Sequence, residues 1–405
     1  MINSESASAA QVPAAAEISP YFQPILSLQT QHIIGYEALG RHVAGGVVRS
    51  LGPFFQQSGL PDERLVKVDR LIREQAIAAM ARAPGEERLF LNLKPSWIYR
   101  KARRVSELPT LQMAERHGLD PSRIVVEITE EPFSGKLEEL SEMIGLYREA
   151  GCTIAIDDIG SGHSNYDRIA SLQPHILKID LKLMKKGARH EGYHALLNSF
   201  SILAAQMGAS MLVEGVETKE DLHYALKVGA RYVQGFLFSP AEAELQRKEA
   251  YEPLLREHIA LYTHGELERH RALFSAASGL RTLLSARSGA RTPAEADALL
   301  QTLSGHVDKN VVRMYICREE GFQVSSNYTR NPDGSWRRDA AYEGSNWIWR
   351  PYFIPTVLQM KHGGQGCLSQ PYTDLETSRS MQTYSEPLGE AHYIFFDLEI
   401  DLAGG

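Results

Sequence analysis

Cysteine is scarce in this chain. Its 405 residues include three, Cys152, Cys317 and Cys367, set far apart and never in a C-x-x-C spacing. That count excludes a disulfide framework, gives no hint of a zinc site and fits a reducing compartment. Long apolar runs are missing too, and none approaches the roughly 18 residues that a membrane-spanning helix needs. Nor is there a basic excess: 43 Lys and Arg face 50 Asp and Glu, a formal net charge of −7. Non-specific grip on a nucleic-acid polymer needs a basic face, so that class is excluded. A small phosphorylated ligand held through metal ions is not. The opening stretch, MINSESASAAQVPAAAEISP, has neither Lys nor Arg. It reads as a flexible arm over residues 1–19 rather than a signal peptide or anchor. A cytoplasmic protein with no membrane association is the expectation.

What is present is an ordinary globular composition, 43% hydrophobic and 23% charged, in a chain long enough for two domains. Over residues 20–245, short Ile-, Val- and Leu-rich runs alternate with longer amphipathic ones. YFQPILSL, IIGYEALG, LFLNLKP, RIVVEIT, CTIAIDDI, ILKID, SMLVEGV and YVQGFLF read as strands, with helical patterns such as LEELSEMIGLYREAG between them. This alternation predicts a mostly parallel sheet. About eight strands in some 220 residues predict closure into an α/β barrel of the (β/α)8 type, TIM-like, rather than an open doubly wound sheet.

Polar residues near the ends of these apolar runs carry the chemistry. Glu37, Asn92, Glu127, the pair Asp157 and Asp158, Lys178, Glu214 and Gln234 each fall late in a predicted strand or just after it. A charge inside a parallel strand is costly unless it is paired or bound to metal. On a parallel barrel such positions converge on one mouth. Oxygen ligands without Cys or His favour Mg²⁺ or Mn²⁺ over zinc. Asp157 and Asp158 would face opposite ways in a regular strand, so the chain must leave strand geometry there, and Gly160 and Gly162 permit the turn. Taken alone, DDIGSG fits a capped loop before a helix equally well. Lys178 and Glu214 add a cation and a base. Two ions about 3.5–4 Å apart lower the pKa of a bridging water and stabilise an in-line phosphoryl displacement. Arg41, four residues after Glu37, suits a phosphate oxygen or, more plainly, a rim salt bridge.

YFQPI, EALGR at 37–41, NLKPS at 92–96, EITE at 127–130, DDIGSG at 157–162, KID at 178–180, EGVE at 214–217 and QGFLFSP at 234–240 stand in this order. Over about residues 20–245 the chain thereby resembles the EAL-domain cyclic-di-GMP phosphodiesterases. The resemblance implies a barrel that hydrolyses cyclic di-GMP to linear pGpG with Mg²⁺ or Mn²⁺ at two sites and is inhibited by Ca²⁺. By motif, Glu37, Asn92, Glu127 and Asp157 would hold the first metal, and Asp158 the second, with Asp157 shared. Glu214 would act as base or orient the water, and Lys178 would bind that water or the phosphate. Arg41, Gln23, Leu39 and Gln234 would serve the substrate. Glu130, Gly160 and Gly162 would support the loop after the aspartate pair. Two departures fall in that loop, where Ile159 and His163 replace aromatic residues. The retained ligands favour turnover over the alternative, a catalytically weak cyclic-di-GMP receptor. The resemblance and the long helix that follows imply a homodimer.

Residues 246–287 read as a connecting helix, interrupted near Pro253 and Gly265. Its His258, His264 and His270 recur every six residues, which does not keep them on one face. Residues 288–405 read as an α+β domain. With the long helix before it, the domain resembles the PAS/Cache-like tails of soluble Gram-positive EAL proteins. NWIWRPYF followed by LSQPYTDLETSRSMQTYSEP is similar to the ligand-pocket region of Cache sensors, which points to Trp349, Arg350, Tyr352, Tyr372 and Asp374 around an unidentified small ligand. A plain core with a structural ion pair is the competing reading of the same residues.

Overall fold

The computed structural model describes residues 13–57, 59–94, 97, 104–129, 137–159, 166–284, 292–377, 379–389 and 391–399. Glu130, Gly160, Gly162 and His163 lie outside them. The chain divides into two units, Met1–Tyr262 and Thr263–Gly405.

The first unit is built on nine strands: β1 Ile18–Ser27, β2 Ile33–Ala44, β3 Val47–Ser50, β4 Arg88–Leu93, β5 Ile124–Ile128, β6 Thr153–Ile159, β7 Ile176–Ile179, β8 Ser210–Val213 and β9 Tyr232–Val233. From β2 the order runs through β4, β5, β6, β7 and β8 to β9, all parallel. β1 pairs antiparallel with both β2 and β9 and closes an eight-stranded TIM-like barrel. β3 extends β2 outside the ring. The reversal of β1 has a simple cause. Only Leu28–His32 separates it from β2, too short for the crossover that parallel neighbours require.

Strand periodicity sorts the side chains. In β5, Ile124, Val126 and Ile128 join the layer packed against the helices, whereas Val125 joins a small cluster with Ile25, Phe90, Ala155, Ile176 and Leu212 inside the barrel. Helices close the outside. Asp62–Arg82 buries Leu65, Val68, Ile72, Ala76, Ile77 and Met80 along one stripe, with acids in its first turn and Arg82 in its last. Gly35 is demanded by packing: a Cβ there would lie 2.6 Å from the Arg88 carbonyl oxygen and 2.7 Å from the Phe90 ring.

One helix, Glu252–Leu284, spans 33 residues without the predicted interruption. Pro253 sits in its first turn, where the missing N–H costs nothing, and Gly265 is accommodated at a modest propensity cost. No helix among the described residues is long and apolar enough to cross a membrane.

The second unit is α+β. Its antiparallel sheet comprises β10 Val311–Arg318, β11 Asn327–Arg330, β12 Trp336–Asp339, β13 Cys367–Leu368, β14 Tyr372–Thr373, β15 Ser380–Pro387 and β16 His392–Glu399. Alternation along β10 and β16 feeds two cores. Met314, Ile316, Ile394 and Phe396 face the helix Pro293–Ser304, and Tyr315, Cys317, Tyr393 and Phe395 face the helix Phe353–Gly363.

Candidate active site

On five parallel strands an interior apolar residue is followed, two positions on, by a polar one: Phe90 by Asn92, Val125 by Glu127, Ala155 by Asp157, Ile176 by Lys178 and Leu212 by Glu214. A period of two keeps each pair on the same face of its strand. An apolar layer is thereby capped by a polar layer at the carboxyl ends of the parallel strands. β1 runs the other way, so its contribution, Gln23, stands two residues before Ile25. It lies opposite Glu37 in the β1–β2 pairing.

Lys178 is the hub. Its Nζ lies 2.6 Å from Glu127 Oε1, 2.6 Å from Glu214 Oε1, 3.3 Å from Asp157 Oδ1 and 3.8 Å from Glu37 Oε2. Glu37 is fixed by amides. Asn92 Nδ2 donates to its Oε1 at 2.8 Å, and Gln234 Nε2 donates to its Oε2 at 2.8 Å. Gln234 Nε2 also reaches Gln23 Oε1 at 3.1 Å, and Gln23 Nε2 donates to the Ser239 carbonyl at 3.1 Å. Gln23 and Gln234 thus stand behind Glu37 as an amide relay.

The chain leaves regular strand geometry at Asp158, inside β6, as the adjacent aspartates required. The φ of Asp158 is +58°, and β6 breaks register with β7 between Ile156 and Ile159. Aspartate tolerates this left-handed conformation because its short side chain bonds locally. Here the Asp158 amide donates to Asp157 Oδ1 at 2.9 Å. The kink places oxygens of Asp157, Asp158 and Glu214 within 4.8 Å of one another.

The electrostatics are those of a cation site. Burial pushes the Glu127 carboxyl well above its usual range; Lys178 opposes this, while Glu37 and Asp157 add to it. Glu214 is pushed up to about 8, by burial first, with Lys178 again opposing and Asp157 and Glu37 adding. For Lys178 burial pulls down, but Asp157, Glu127, Glu214 and Glu37 together outweigh it and hold the ammonium charged. Four carboxylates (Glu37, Glu127, Asp157, Glu214) meet this one ammonium, and Asp158 adds a fifth beside Asp157 and Glu214. Glu127 is fully buried, with Oε1 against the Lys178 ammonium and Oε2 without a hydrogen-bond donor among the described residues. Hard oxygen donors in excess of a single ammonium fit Mg²⁺ or Mn²⁺.

A cleft of about 240 Å³ opens beside Asn92 and is lined by Leu39, Arg41, Phe55, Lys94 and Trp97, among others. Arg41 Nη1 donates to the Gly40 carbonyl at 3.1 Å, and its guanidinium lies 5.9 Å from the Tyr21 ring centre. Lys94 Nζ sits 5.0 Å from the Trp97 ring centre. Cations beside aromatic faces suit a ligand with both phosphates and bases. Lys94, Phe55 and Trp97 escaped the sequence reading. Lys94 carried a signal, since it follows Asn92 by two residues, just past the end of β4.

In the second unit Arg350, Tyr352, Tyr372 and Asp374 line one cavity of about 80 Å³. Trp349 does not line it; the ring is 57% exposed and lies 4.7 Å from the Arg350 guanidinium. Asp374 is held by Arg313 Nη1 at 2.9 Å, a partner that the sequence did not reveal.

Fold and donor set define a class: a TIM-like barrel with one reversed strand and a carboxylate cluster at its mouth that could hold a cation. The chain belongs to the EAL-domain family, whose model matches residues 6–241. A second model, described as an EAL-domain associated signalling protein domain, matches residues 246–402. The chain is 35% identical to the EAL-domain containing protein YkuI of Bacillus subtilis, over 94% of each chain. The crystal structure of YkuI in complex with substrate c-di-GMP and calcium is similar with a TM-score of 0.84 and 32% identity, covering 96% of this chain and 97% of that one. The cyclic di-GMP phosphodiesterase RocR of Pseudomonas aeruginosa is 30% identical over 55% of this chain and 57% of its own. A manganese and cyclic-di-GMP complex of Klebsiella pneumoniae BlrP1 is similar with a TM-score of 0.50 and 27% identity, covering 57% of this chain and 58% of that one.

Proposed function

We propose that this protein hydrolyses cyclic di-GMP to linear pGpG with Mg²⁺ or Mn²⁺, under control of its C-terminal domain. The observation that carries the reading is the meeting of Glu37, Glu127, Asp157 and Glu214 around Lys178, with Asp158 beside Asp157 and Glu214, next to a cleft that presents Arg41 and Lys94. Relatives described as binding or cleaving the same dinucleotide support it.

Glu37, Asn92 (through its amide oxygen), Glu127 and Asp157 would hold one divalent cation, and Asp157 with Asp158 a second. Such a pair lowers the pKa of a bound water and neutralises charge on the reacting phosphate. The protein groups do the rest. Glu214 takes a proton from the attacking water as its oxygen bonds to phosphorus and the P–O3′ bond breaks. The leaving O3′ takes a proton from solvent water, giving a 5′-phosphate and a free 3′-hydroxyl. Lys178 donates to the attacking oxygen or to the phosphate and keeps the carboxylate ring from repelling the anionic substrate. Arg41 holds a phosphate oxygen.

The test is incubation of the full chain with cyclic di-GMP and Mn²⁺ or Mg²⁺, with the product resolved by chromatography. Accumulation of pGpG that chelator abolishes is expected. Tight binding of the dinucleotide with no pGpG formed would make the protein a receptor instead.

A further inference from the structure

We propose that Gln246 is a positioning residue for the barrel site: through it, the start of the helix Glu252–Leu284 sets the carboxylate of Glu37 and, with it, the affinity for a divalent cation. This deepens the regulatory half of the function proposed above and rests on its metal assignment.

The barrel leaves a seam. β9 pairs with β1 at only two positions, Leu26 with Val233 and Ser27 with Tyr232. Nearer the mouth, the backbone of β1 needs another partner. It finds one in the segment that leads to the helix. The Phe22 amide donates to the Glu242 carbonyl at 2.7 Å, and the Glu242 amide donates to the Phe22 carbonyl at 3.0 Å. The segment then follows β1 and β2 away from the mouth, and the Lys248 carbonyl accepts from the Ile33 amide at 2.9 Å. Residues 239–251 are thus part of the barrel wall.

Two routes run from this segment to Glu37, and both pass through Gln246. The first follows side chains. Gln246 Nε2 donates to Ser239 Oγ at 3.0 Å. Ser239 is buried, and its carbonyl holds the Gln23 amide. Gln23 accepts from Gln234, which donates to Glu37. The second route follows the backbone. The Tyr36 hydroxyl donates to the Gln246 carbonyl at 2.8 Å and accepts from the Gln246 amide at 3.1 Å. Tyr36 precedes Glu37 in β2 and faces the opposite side of the strand. One residue therefore braces Glu37 from within the barrel and from outside it.

The helix joins at the same place. The Tyr251 hydroxyl donates to Gln246 Oε1 at 2.7 Å, and the Tyr251 ring packs edge-on against Phe238 at 5.6 Å. Tyr251 immediately precedes the helix, whose 33 residues continue past Tyr262 into the second unit. A displacement of the first turn that draws Tyr251 away frees Oε1 and lets Gln246 turn from Ser239. A looser Ser239 carbonyl then releases Gln23 and, behind it, Gln234. A carboxylate already held in place binds a hard cation more tightly than one that must be ordered on binding.

The experiment is Mn²⁺ titration calorimetry on the full chain, without cyclic di-GMP, beside melting in chelator. Gln246→Met keeps the length and both backbone bonds to Tyr36 but loses the side-chain contacts. It should weaken Mn²⁺ binding about three- to tenfold, the usual effect of one neutral hydrogen bond. Tyr251→Phe keeps the ring on Phe238 and should weaken binding in the same direction. The two residues act in series, so the double variant should bind no more weakly than Gln246→Met alone. Glu252→Gln loosens the same helix end, where Glu252 pairs with His32 at 3.7 Å, but touches neither route; its Mn²⁺ affinity should equal that of the wild type. The inference is overturned if Gln246→Met or Tyr251→Phe binds Mn²⁺ like the wild type, even where its melting temperature falls. It is also overturned if the two lose affinity independently, or if Glu252→Gln weakens binding as much. Affinity is read without turnover. A wild type that makes no pGpG, while its Mn²⁺ affinity responds to Gln246, overturns hydrolysis alone; turnover with an affinity indifferent to Gln246 overturns this inference alone.

Discussion

Lys178 Nζ stands 2.6 Å from Glu127 Oε1 at the floor of the barrel mouth, with the lysine side chain 1% exposed and the glutamate fully buried. Neither charge is tolerable there alone. Removing one partner of a buried pair typically costs about 3–5 kcal/mol, because the other is left uncompensated. Lys178→Met should therefore lower the thermal midpoint sharply in chelator. A divalent cation supplies the charge that the lysine gave up, so saturating Mn²⁺ should restore most of the loss. A midpoint in chelator equal to that of the wild type would refute the neutralising role.

Glu214 lies higher in the mouth, its side chain 21% exposed, in contact with the same ammonium. Glu214→Gln keeps the shape and removes the proton acceptor. Turnover should fall about 10²- to 10⁴-fold, the usual contribution of a positioned base. Affinity for cyclic di-GMP, measured by calorimetry with Ca²⁺ present, should change little. Undiminished pGpG production by the variant would remove Glu214 from the mechanism.

Most of this site was legible in the sequence because strand alternation is a local signal. Asn92, Glu127, Asp157, Lys178 and Glu214 each interrupt an apolar run two residues after an interior hydrophobe, and the barrel gathers them at one end. What stayed hidden depends on direction or on distant partners. Gln23, named only through the family resemblance, precedes its interior neighbour Ile25 because β1 is reversed, so strand alternation alone does not reveal it. The left-handed φ of Asp158 is likewise a property of the local backbone that residue type alone does not announce. In the second unit Arg313 and Asp397 did carry a signal, charges within the buried runs VVRMYICR and FFDLEI. Their meeting across β10 and β16, with Asp374 added from after β14, is fixed only by sheet register.

Metal-free stability should report the raised Glu214 carboxyl. Its value is about 8 in the folded chain against 4.5 ordinarily, so the folded chain holds a proton that the unfolded chain has released between those limits. The stability linked to that proton is fully present below about pH 4.5 and lost as the pH climbs through 8. His175, His223 and His392, whose values burial depresses, act in the opposite sense. Comparison with Glu214→Gln isolates the glutamate. In chelator, the stability advantage of Glu214→Gln in urea titrations should grow steadily with pH across this window. A constant difference would contradict the assignment.

Arg41 tests the cleft rather than the acids. Its guanidinium donates to the carbonyl of its own neighbour, Gly40, and enters no ion pair with a carboxylate among the described residues, although burial depresses its pKa. A structural salt bridge is thus not what keeps it there. Arg41→Ala should leave the melting temperature nearly unchanged, because no buried acid is orphaned. It should weaken cyclic di-GMP about ten- to hundredfold, the worth of one charge-assisted contact to phosphate. The loss should appear mainly in KM, since a phosphate oxygen is gripped equally in the ground and transition states, and a fall confined to kcat would place Arg41 at the reacting phosphorus instead. Unchanged affinity and unchanged turnover together would return Arg41 to the barrel rim.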